Sequence, residues 1–472
     1  MRTIAAALAV LCTLAATPAV AAPSTALPAA PSGPYAELDA YVRDRMRETG
    51  VPGLSYAVVG PDGPVHRRAW GTDGRGDPVT PATPFLWGSL AKPATATGVM
   101  TLVESGRLGL DDRVAEHVPE FGFAPGATVR HLLGQTSGLP AEATFEVADC
   151  HAADCPRPAG RLGALDGVEP LGPPGTEYAY TSANYVALAA VVESVTGRPF
   201  ADFMHEAVFD PIGMDGAIAD AESARKLPPG HQLLWGFPTA TKKYDPHGAA
   251  YGYLGGDLHD LTAFASAQLR GTVLKPESLR LMRQESKAGT GYGLGWRVGG
   301  LDGPLQNAVW HTGGVPGYSA MIFLLPERGI GLVLQQNMYA LLQDGAVMES
   351  GFGAARLLAG GEPGDAPSAA VHHATVWGVT ALALALLLAA ARSVAVVRRP
   401  ARPPVTLAWC AAGLVPWGLA AAVQSVMGVR HLWSWVPDAA LALGAAVLAG
   451  TATMAVRLVA LGKRSGPPDR TV

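Results

Sequence analysis

Residues 87–93 read Trp87-Gly88-Ser89-Leu90-Ala91-Lys92-Pro93, with a serine three positions before a lysine. On a helix this spacing places both side chains on one face, so that the lysine amine can reach the serine hydroxyl. A serine hydroxyl is a weak nucleophile until an adjacent base takes its proton, and a desolvated lysine can act as that base. The spacing therefore predicts Ser89 as a catalytic nucleophile. An ordinary helix start, with Ser89 near the N-cap, is the alternative.

Two later segments carry further groups that such chemistry needs. Residues 174–185 form a Gly/Pro turn that enters a helix, and they include Tyr180-Thr181-Ser182. Residues 310–319 form a strand that runs into a Gly-rich turn, and they include His311-Thr312-Gly313-Gly314. Together with Ser89 and Lys92, they supply a second proton-handling group and a strand beside a developing oxyanion.

In this order the three segments resemble the S-x-x-K, Y-x-N and K-T-G elements of the penicillin-recognising serine hydrolases. The resemblance is to the branch of class C β-lactamases, D,D-peptidases and D-aminopeptidases, serine peptidase family S12. It extends over about residues 35–360. Residues 129–139 are similar to that branch's R-H-L-L-x-x-T-S-G-L segment, and residues 292–296 to its Y-G-L-G-W segment.

The resemblance implies an α/β (α+β) serine β-lactamase-like fold. An antiparallel sheet flanked by helices would meet a helical subdomain at the active site. The reaction would pass through an acyl-enzyme on Ser89, with Lys92 and Tyr180 transferring protons and either one open as the initial base. The backbone N–H groups of Ser89 and Gly314 would form the oxyanion hole. No metal or cofactor is expected, and the candidate substrate-binding residues are Ser182, His247, His311, Thr312, Gly313 and Ser319.

Two positions depart from the family motifs. Ser182 stands where the Y-x-N motif has asparagine, and His311 stands where K-T-G has lysine. A lysine is a permanent cation suited to the carboxylate of a penicillin or of a C-terminal D-alanine, whereas histidine is largely neutral near pH 7. The histidine therefore places aminopeptidase, amidase or esterase activity ahead of β-lactamase or D,D-carboxypeptidase activity.

Periodicity predicts strands at both ends of this region and helices between them. The expected strands are residues 53–60, 65–71, 308–311, 319–325 and 329–335. The expected helices are residues 89–105, 185–196 and 261–269. The strands from the two ends are expected to share one antiparallel sheet.

The composition of the 472-residue chain indicates a membrane protein. Hydrophobic residues make up 49% of the chain and charged residues only 16%. The formal net charge of −4 leaves no basic footprint, which argues against a nucleic-acid partner. The length suits one large catalytic domain with appendages.

The amino terminus has the pattern of a secretory signal peptide. Arg2 precedes an apolar run, and Ala19-Val20-Ala21 forms a small-x-small cleavage site. This pattern predicts a signal peptide at residues 1–21 and a mature catalytic domain at residues 22–360. An uncleaved N-terminal anchor is the alternative.

Beyond a predicted linker at residues 361–373, the region 374–461 holds three long apolar segments, about residues 374–391, 405–427 and 439–461. Each is long enough to cross a bilayer as a helix. The loop between the second and third segments holds only Arg430, whereas the other ends carry most of the positive charge, at Arg392, Arg398, Arg399, Arg402, Arg457, Lys463, Arg464 and Arg470. The positive-inside rule therefore predicts an extracytoplasmic catalytic domain and a cytoplasmic tail at residues 462–472. Buried helices of a second soluble domain are the alternative.

Two of the four cysteines, Cys150 and Cys155, lie in the predicted exported domain. An oxidising compartment would let them close a short loop, so the spacing predicts a disulfide. His151 between them raises a metal site as the alternative, but no further close-set ligands accompany it.

The Y-x-S motif and three C-terminal spans together resemble the membrane-anchored peptidases that activate antibiotic or toxin prodrugs, the colibactin-maturing peptidase among them. This resemblance implies removal of an N-acyl-D-amino acid, of the D-asparagine type, from an exported peptide or prodrug, with His247 near the D-asparagine side chain. The expected partners are the acylated substrate and the lipid bilayer, and the chain could form a homodimer. Alternatives are a cell-wall D,D-carboxypeptidase or class C β-lactamase, an esterase, and a penicillin-binding sensor. The short tail after the last span disfavours the sensor.

Overall fold

A computed structural model describes residues 33–152, 154–395, 397 and 402–462. The predicted signal peptide, the predicted tail beyond residue 462, and Arg398 and Arg399 lie outside the described residues. The boundaries predicted for the catalytic domain and the linker stay predictions. In that region one helix ends at Leu358 and the next begins at Ala370.

The largest sheet has six strands, and all of its pairings are antiparallel. The strands of the described chain are β1 Gly53–Gly60, β2 Gly63–Gly71, β3 Phe85–Leu86, β4 Gly230–Leu234, β5 Phe237–Thr241, β6 Gly255–Gly256, β7 Arg297–Val298, β8 Val309–Val315, β9 Tyr318–Leu325 and β10 Ile330–Gln336. The order in the large sheet is β2-β1-β10-β9-β8-β7, while β3–β6 and β4–β5 form two small sheets. The predicted antiparallel sheet, built from both ends of the catalytic region, is confirmed.

Helices pack against the sheet, and they form most of the chain between its N-terminal strands, β1 and β2, and its C-terminal strands, β7–β10. They are α1 Ala36–Thr49, α2 Ala91–Glu104, α3 Val114–His117, α4 Val129–Leu133, α5 Ala143–Val147, α6 Pro158–Leu162, α7 Ala183–Thr196, α8 Phe200–Met204, α9 Asp210–Ile212, α10 Leu258–Arg270, α11 Pro276–Met282, α12 Asp344–Leu358, α13 Ala370–Ala395, α14 Pro403–Val426, α15 Gly428–Trp435 and α16 Pro437–Gly462. A 3₁₀ turn, Gly88–Leu90, precedes α2. The predicted helices at 89–105, 185–196 and 261–269 correspond to this turn with α2, to α7 and to α10.

The sheet separates two hydrophobic cores. Along β1 successive side chains point to opposite faces, so Ala57 and Val59 join one core while Tyr56 and Val58 join the other. The first core includes α2 and α10. It extends through α7 into the rest of the helical region, which is formed by the helices α3–α9. The second core is closed by α1 and α12. This arrangement leaves the edge of β8 and the start of α2 at the junction of sheet and helical region.

Strand β2 begins two residues earlier than predicted. Gly60 pairs directly with Gly63, so a tight turn at Pro61 and Asp62 closes the β1–β2 hairpin. Gly63 has φ +122, a backbone angle that favours glycine. The turn chemistry, which the apolar alternation does not report, therefore sets where pairing starts.

Three C-terminal helices, α13, α14 and α16, are long and apolar enough to cross a membrane. They carry many exposed large apolar side chains, Leu388 and Leu448 among them, as a lipid-facing surface requires. Gly413 of α14 and Gly450 of α16 lie so close that a Cβ on Gly450 would stand 2.6 Å from the Gly413 carbonyl oxygen. Small residues at such crossings let helix backbones approach. The three predicted candidate membrane spans are confirmed.

The short helix α15, between the second and third long helices, rests on the catalytic domain. The Lys243 amine donates a hydrogen bond to the Ser434 carbonyl oxygen at 2.7 Å. The Trp435 indole N–H donates to Asp149 Oδ2 at 2.8 Å, and its ring meets Tyr339 edge-on at 5.8 Å. This end of the helical bundle therefore lies directly beside the junction of sheet and helical region.

Candidate active site

Ser89 and Lys92 stand at the start of α2, where the 3₁₀ turn passes into the helix. The Lys92 Nζ donates hydrogen bonds to Ser89 Oγ at 2.9 Å, to Ser182 Oγ at 3.2 Å and to the Tyr251 carbonyl oxygen at 2.9 Å. Pro93, in the first turn of α2, removes only a backbone donor that has no partner within the helix. Residues of the predicted S-x-x-K and Y-x-N elements therefore both contact the Lys92 amine.

Burial controls the protonation of both proton-handling residues. Lys92 is fully buried, and burial, with the nearby charge of Arg297, lowers its pKa to about 7 while Asp149 opposes the shift. Burial raises the pKa of Tyr180 above its ordinary value, and a hydrogen bond with Ser89 opposes that rise. Near neutral pH, Lys92 is therefore available in its unprotonated form and Tyr180 keeps its proton.

Glycines allow the Ser89 turn to touch β8. Gly88 has φ +57, and a Cβ there would stand 2.3 Å from the Gly314 backbone nitrogen. A Cβ on Gly313 would stand 2.4 Å from the Ser89 backbone nitrogen. Since β7 pairs only with Val309 and Trp310, β8 presents an edge without a strand partner to this turn. The backbone N–H groups of Ser89 and Gly314 can both face one small space.

His311 lies beneath the site as a neutral side chain. It is 1% exposed, and burial, followed by the charges of Arg297 and Lys92, lowers its pKa well below the ordinary value. Its Nδ1 lies 2.6 Å from the Thr312 carbonyl oxygen, and its Nε2 has no hydrogen-bond partner among the described residues. At neutral pH it therefore cannot act as the cation that lysine provides in K-T-G.

A cavity of about 430 Å³ opens above Ser89. Its polar floor includes Ser89, Tyr180, Ser182 and Gly314. Its remaining wall is mostly apolar and combines catalytic-domain residues with residues of the C-terminal helical region: Ala141, Glu142, Thr144, Phe145, Asp149, Tyr251, Gly252, Val315, Leu341, Val426, Met427 and Trp435.

Five of the six predicted substrate-binding residues do not line this cavity. His247 lines a separate cavity beside Arg157 and Glu193, because the tight turn after Asp245 directs it away. Ser319 is fully buried on β9 and donates its hydroxyl to the Met338 carbonyl oxygen. The other three belong to β8 behind the cavity floor: His311, Thr312 and Gly313. Ser182 alone of the six reaches the cavity.

A family model described as Beta-lactamase matches residues 38–348, which is more than half of the chain. The chain belongs to the beta-lactamase family. The fold is therefore the predicted β-lactamase-like one, and the family membership makes this chain a serine hydrolase.

Known proteins similar to this beta-lactamase-family hydrolase include penicillin-binding protein 4 of Amycolatopsis lactamdurans. It is 32% identical over 344 residues, which cover 66% of this chain and 85% of that protein. The octameric penicillin-binding protein homologue from Pyrococcus abyssi has a TM-score of 0.62 at 24% identity, with 71% and 79% of the two chains covered. SurE with D-Leu has a TM-score of 0.54 at 26% identity, with 70% and 77% covered. The homodimer considered for this chain stays a prediction.

The predicted disulfide between Cys150 and Cys155 is present, with the two Cα atoms 5.8 Å apart. The loop it closes is held by a buried ion pair, in which Arg161 binds both carboxylate oxygens of Asp245 at 2.6 and 2.7 Å. The Cys150 backbone N–H also donates to Asp245. The disulfide is thus tied through Cys150 to this buried ion pair, and Asp149, just before it, lines the cavity.

Sequence reasoning missed three features of the site. Asp149, just before the disulfide, has φ +59 and accepts hydrogen bonds from Tyr253 and Trp435. Trp435 reads in the sequence as one of several aromatic residues near the ends of the spans. Arg297 directly follows the Y-G-L-G-W segment, and that position was the one available signal for it.

Proposed function

We propose that this hydrolase is a membrane-anchored, extracytoplasmic serine peptidase that removes an N-acyl-D-amino acid from an exported peptide or prodrug. The reaction proceeds through an acyl-enzyme on Ser89. The observation that carries the proposal is the composition of the cavity, because Val426, Met427 and Trp435 of the C-terminal helical region form part of the wall above Ser89.

Lys92 is the initial base. Its pKa of about 7 leaves an unprotonated amine 2.9 Å from Ser89 Oγ, whereas the Tyr180 hydroxyl stays protonated because burial raises its pKa. Ser89 Oγ attacks the carbonyl carbon of the scissile amide, and its proton passes to Lys92. The backbone N–H groups of Ser89 and Gly314 stabilise the negative charge that develops on the carbonyl oxygen.

The amide bond then breaks. Tyr180 passes a proton to the leaving amine and recovers one from Lys92, which lies 4.9 Å from the centre of the Tyr180 ring. In the second half of the reaction, the same two groups take a proton from water, which attacks the acyl-enzyme and releases the N-acyl-D-amino acid. The hydroxyl of Ser182, 3.2 Å from Lys92 Nζ, orients the amine through both steps.

The apolar wall suits an acyl tail that arrives from the bilayer. Val426 is the last residue of the second long helix, Met427 precedes α15, and Trp435 is the last residue of α15. The cavity therefore lies where the helical bundle meets the catalytic domain. Each methylene group that moves from water to such a wall contributes about 0.8 kcal/mol. Anchoring the enzyme in the membrane that holds the acyl tail also raises the effective substrate concentration.

One observation disfavours the carboxylate of a penicillin or a peptide, and a second supports a D-amino acid. His311 is neutral where the K-T-G motif has lysine, so the side chain at this position supplies no positive charge for a substrate carboxylate. The similar structure of SurE is described with D-Leu. Because His247 lies in a separate cavity, no predicted contact selects D-asparagine, and the identity of the D-residue rests on the family resemblance.

The charge distribution supports an extracytoplasmic site. Arg430 lies in α15, beside the catalytic domain. The helix that follows, α16, carries Arg457 toward its far end. Arg392 and Arg402 flank the connection at that same far end of the bundle. The positive-inside rule assigns the end with more arginines to the cytoplasm.

We expect the full-length chain in nanodiscs to cleave N-myristoyl-D-asparaginyl amide and to leave the L-isomer intact. The Ser89→Ala variant should release no amine from either compound. The measurement is formation of the free N-myristoyl amino acid, followed by mass spectrometry, with N-myristoyl-D-leucyl amide included to test whether D-asparagine is selected.

Two results would count against this activity. Equal cleavage of both isomers by the wild type would remove D-specificity and favour an esterase or a general amidase. No cleavage of either isomer, together with labelling of Ser89 by a fluorescent penicillin, would favour cell-wall chemistry.

The Trp435→Ala variant tests the apolar wall. Because it removes an aromatic side chain that lines the cavity, we expect kcat/KM for the myristoyl substrate to fall about tenfold, equivalent to roughly 1.4 kcal/mol of contact. Cleavage of the N-acetyl analogue should change by less than about twofold, since its acyl group is too short to gain apolar contact. Trp433→Ala is the matched control, because that side chain is 53% exposed on the same helix and lines no part of the cavity. An equal loss for both acyl lengths would contradict an acyl-chain wall.

A further inference from the structure

Arg297 lies at the start of β7, next to the active site, and no predicted motif includes it. It is half-buried and pairs in register with Trp310 of β8. Its guanidinium carbon lies 5.3 Å from the ring centres of both Tyr180 and Trp310, and 6.0 Å from that of Tyr292. Three aromatic rings therefore surround this cation.

The charge of Arg297 is not neutralised by an ion pair. Among the described residues, no carboxylate oxygen lies within 4.0 Å of its guanidinium. Aromatic faces attract a guanidinium without carrying a counter-charge, and a guanidinium keeps its proton throughout the physiological range. The aromatic rings thus hold a permanent positive charge whose field extends into the buried site.

We infer that Arg297 is a positioning residue that holds a fixed positive charge beside Tyr180 and thereby keeps Lys92 unprotonated for its role as base. This inference rests on the proposed function of Lys92. Both cations lie against the same Tyr180 ring, with Lys92 Nζ 4.9 Å and the Arg297 guanidinium carbon 5.3 Å from its centre. A fixed charge at this position disfavours the protonated amine by Coulomb repulsion, and the low local dielectric strengthens the effect.

The other groups around Lys92 do not supply this effect. They are Ser89 from the 3₁₀ turn, Tyr180, Ser182 and Tyr185 from α7 and the segment before it, Asp149 from the disulfide loop, Tyr251 from the segment before β6, and His311 from β8. Asp149 acts in the opposite direction and favours the protonated amine, while His311 is neutral at working pH. The charge of Arg297 lowers the pKa of both Lys92 and His311. Burial has the largest effect on the pKa of Lys92, and the charge of Arg297 has the second largest.

The test measures how fast a fluorophosphonate probe labels Ser89 between pH 5 and pH 10, with the full-length chain in nanodiscs. For the wild type, the labelling rate should rise with pH and reach half its maximum near pH 7, where Lys92 loses its proton. In Arg297→Gln and Arg297→Met, this midpoint should move upward by about one pH unit. Arg297→Lys restores the charge and should keep the midpoint of the wild type.

The control is Arg270→Gln, because that guanidinium lies at the surface and, within the part of the chain that the structure describes, donates only to the Pro61 carbonyl oxygen. Its labelling profile should match the wild type. If both neutral variants of Arg297 lower the labelling rate equally at every pH, with no change in the midpoint, the residue has a structural role and the inference is overturned. The probe reports on the nucleophile and contains no acyl-D-amino acid, so the proposed prodrug activity can fail without affecting this result.

Discussion

We expect Lys92→Met to acylate Ser89 far more slowly than the wild type and to keep the fold. Methionine is close to lysine in length and fills the same buried space, but it cannot accept the serine proton. Because general-base catalysis contributes about 10³-fold, we expect the acylation rate to fall by at least about that factor. Intact-mass spectrometry after rapid quenching measures acylation directly.

The stability of Lys92→Met separates chemistry from structure. In the wild type, the pKa of Lys92 falls from 10.5 to about 7 on folding. The unfolded chain therefore binds more protons between these two values, and the stability of the wild type rises with pH across this window. The variant lacks this penalty, so its thermal midpoint at pH 7.5 should be no lower than that of the wild type. A variant that unfolds at lower temperature, or that still acylates at the wild-type rate, would contradict the assigned role.

Gly88→Ala should damage the oxyanion site. Its Cβ would stand 2.3 Å from the Gly314 nitrogen and 2.5 Å from the Gly313 carbonyl carbon, and backbone atoms cannot rotate away as a flexible side chain can. The turn and β8 must therefore separate, and the two N–H groups lose their common target. Losing one oxyanion donor typically costs about 10²- to 10³-fold in kcat, and we expect a loss of that size.

Gly106→Ala is the matched control. Gly106 has φ +69, similar to the φ of +57 at Gly88, but a Cβ there meets no atom within 4 Å. Both variants bear the strain of a left-handed alanine, about 1 kcal/mol, and only Gly88→Ala adds the clash. We expect Gly106→Ala to retain kcat within about twofold, because no donor moves. Equal kcat losses in the two variants would show that strain alone is responsible.

The parts of the site that follow local spacing could be predicted from the sequence. Ser89 and Lys92 are one helical turn apart, so the hydrogen bond between them follows from helix geometry once α2 forms. Tyr180 and Ser182 lie just before α7, and their motif order placed them near the nucleophile. The sheet was predictable for a similar reason, since β1, β9 and β10 are short, mostly apolar runs, which are typical of strands buried on both faces.

The remaining parts depend on contacts that local patterns do not report. Trp435 reaches the cavity only because α15 folds back onto the catalytic domain, and the sequence indicates no more than an aromatic residue near the end of a span. His247 is close in sequence to Tyr251, but the turn at Asp245 directs it into another cavity. The Arg297 guanidinium is surrounded by aromatic rings that come from three different segments of the chain, and local patterns do not report such contacts.

The placement of α15 links anchoring with catalysis. Asp149 accepts hydrogen bonds from Tyr253 of the catalytic domain and from Trp435 of α15, so one buried carboxylate joins the two parts beside the cavity. The C-terminal helices, three of which are candidate membrane spans, therefore contribute to the shape of the site. This arrangement is the physical reason for testing the full-length chain in nanodiscs.

The most direct test of the account is the mass of the wild-type chain, quenched in acid during turnover of N-myristoyl-D-asparaginyl amide. We predict a species heavier by one N-myristoyl-D-asparaginyl group, with the added mass located on the peptide that contains Ser89. This species should be absent with the L-isomer and in the Ser89→Ala variant. Hydrolysis of the substrate without any adduct on Ser89, or with an adduct that persists in Ser89→Ala, would contradict an acyl-enzyme on this serine.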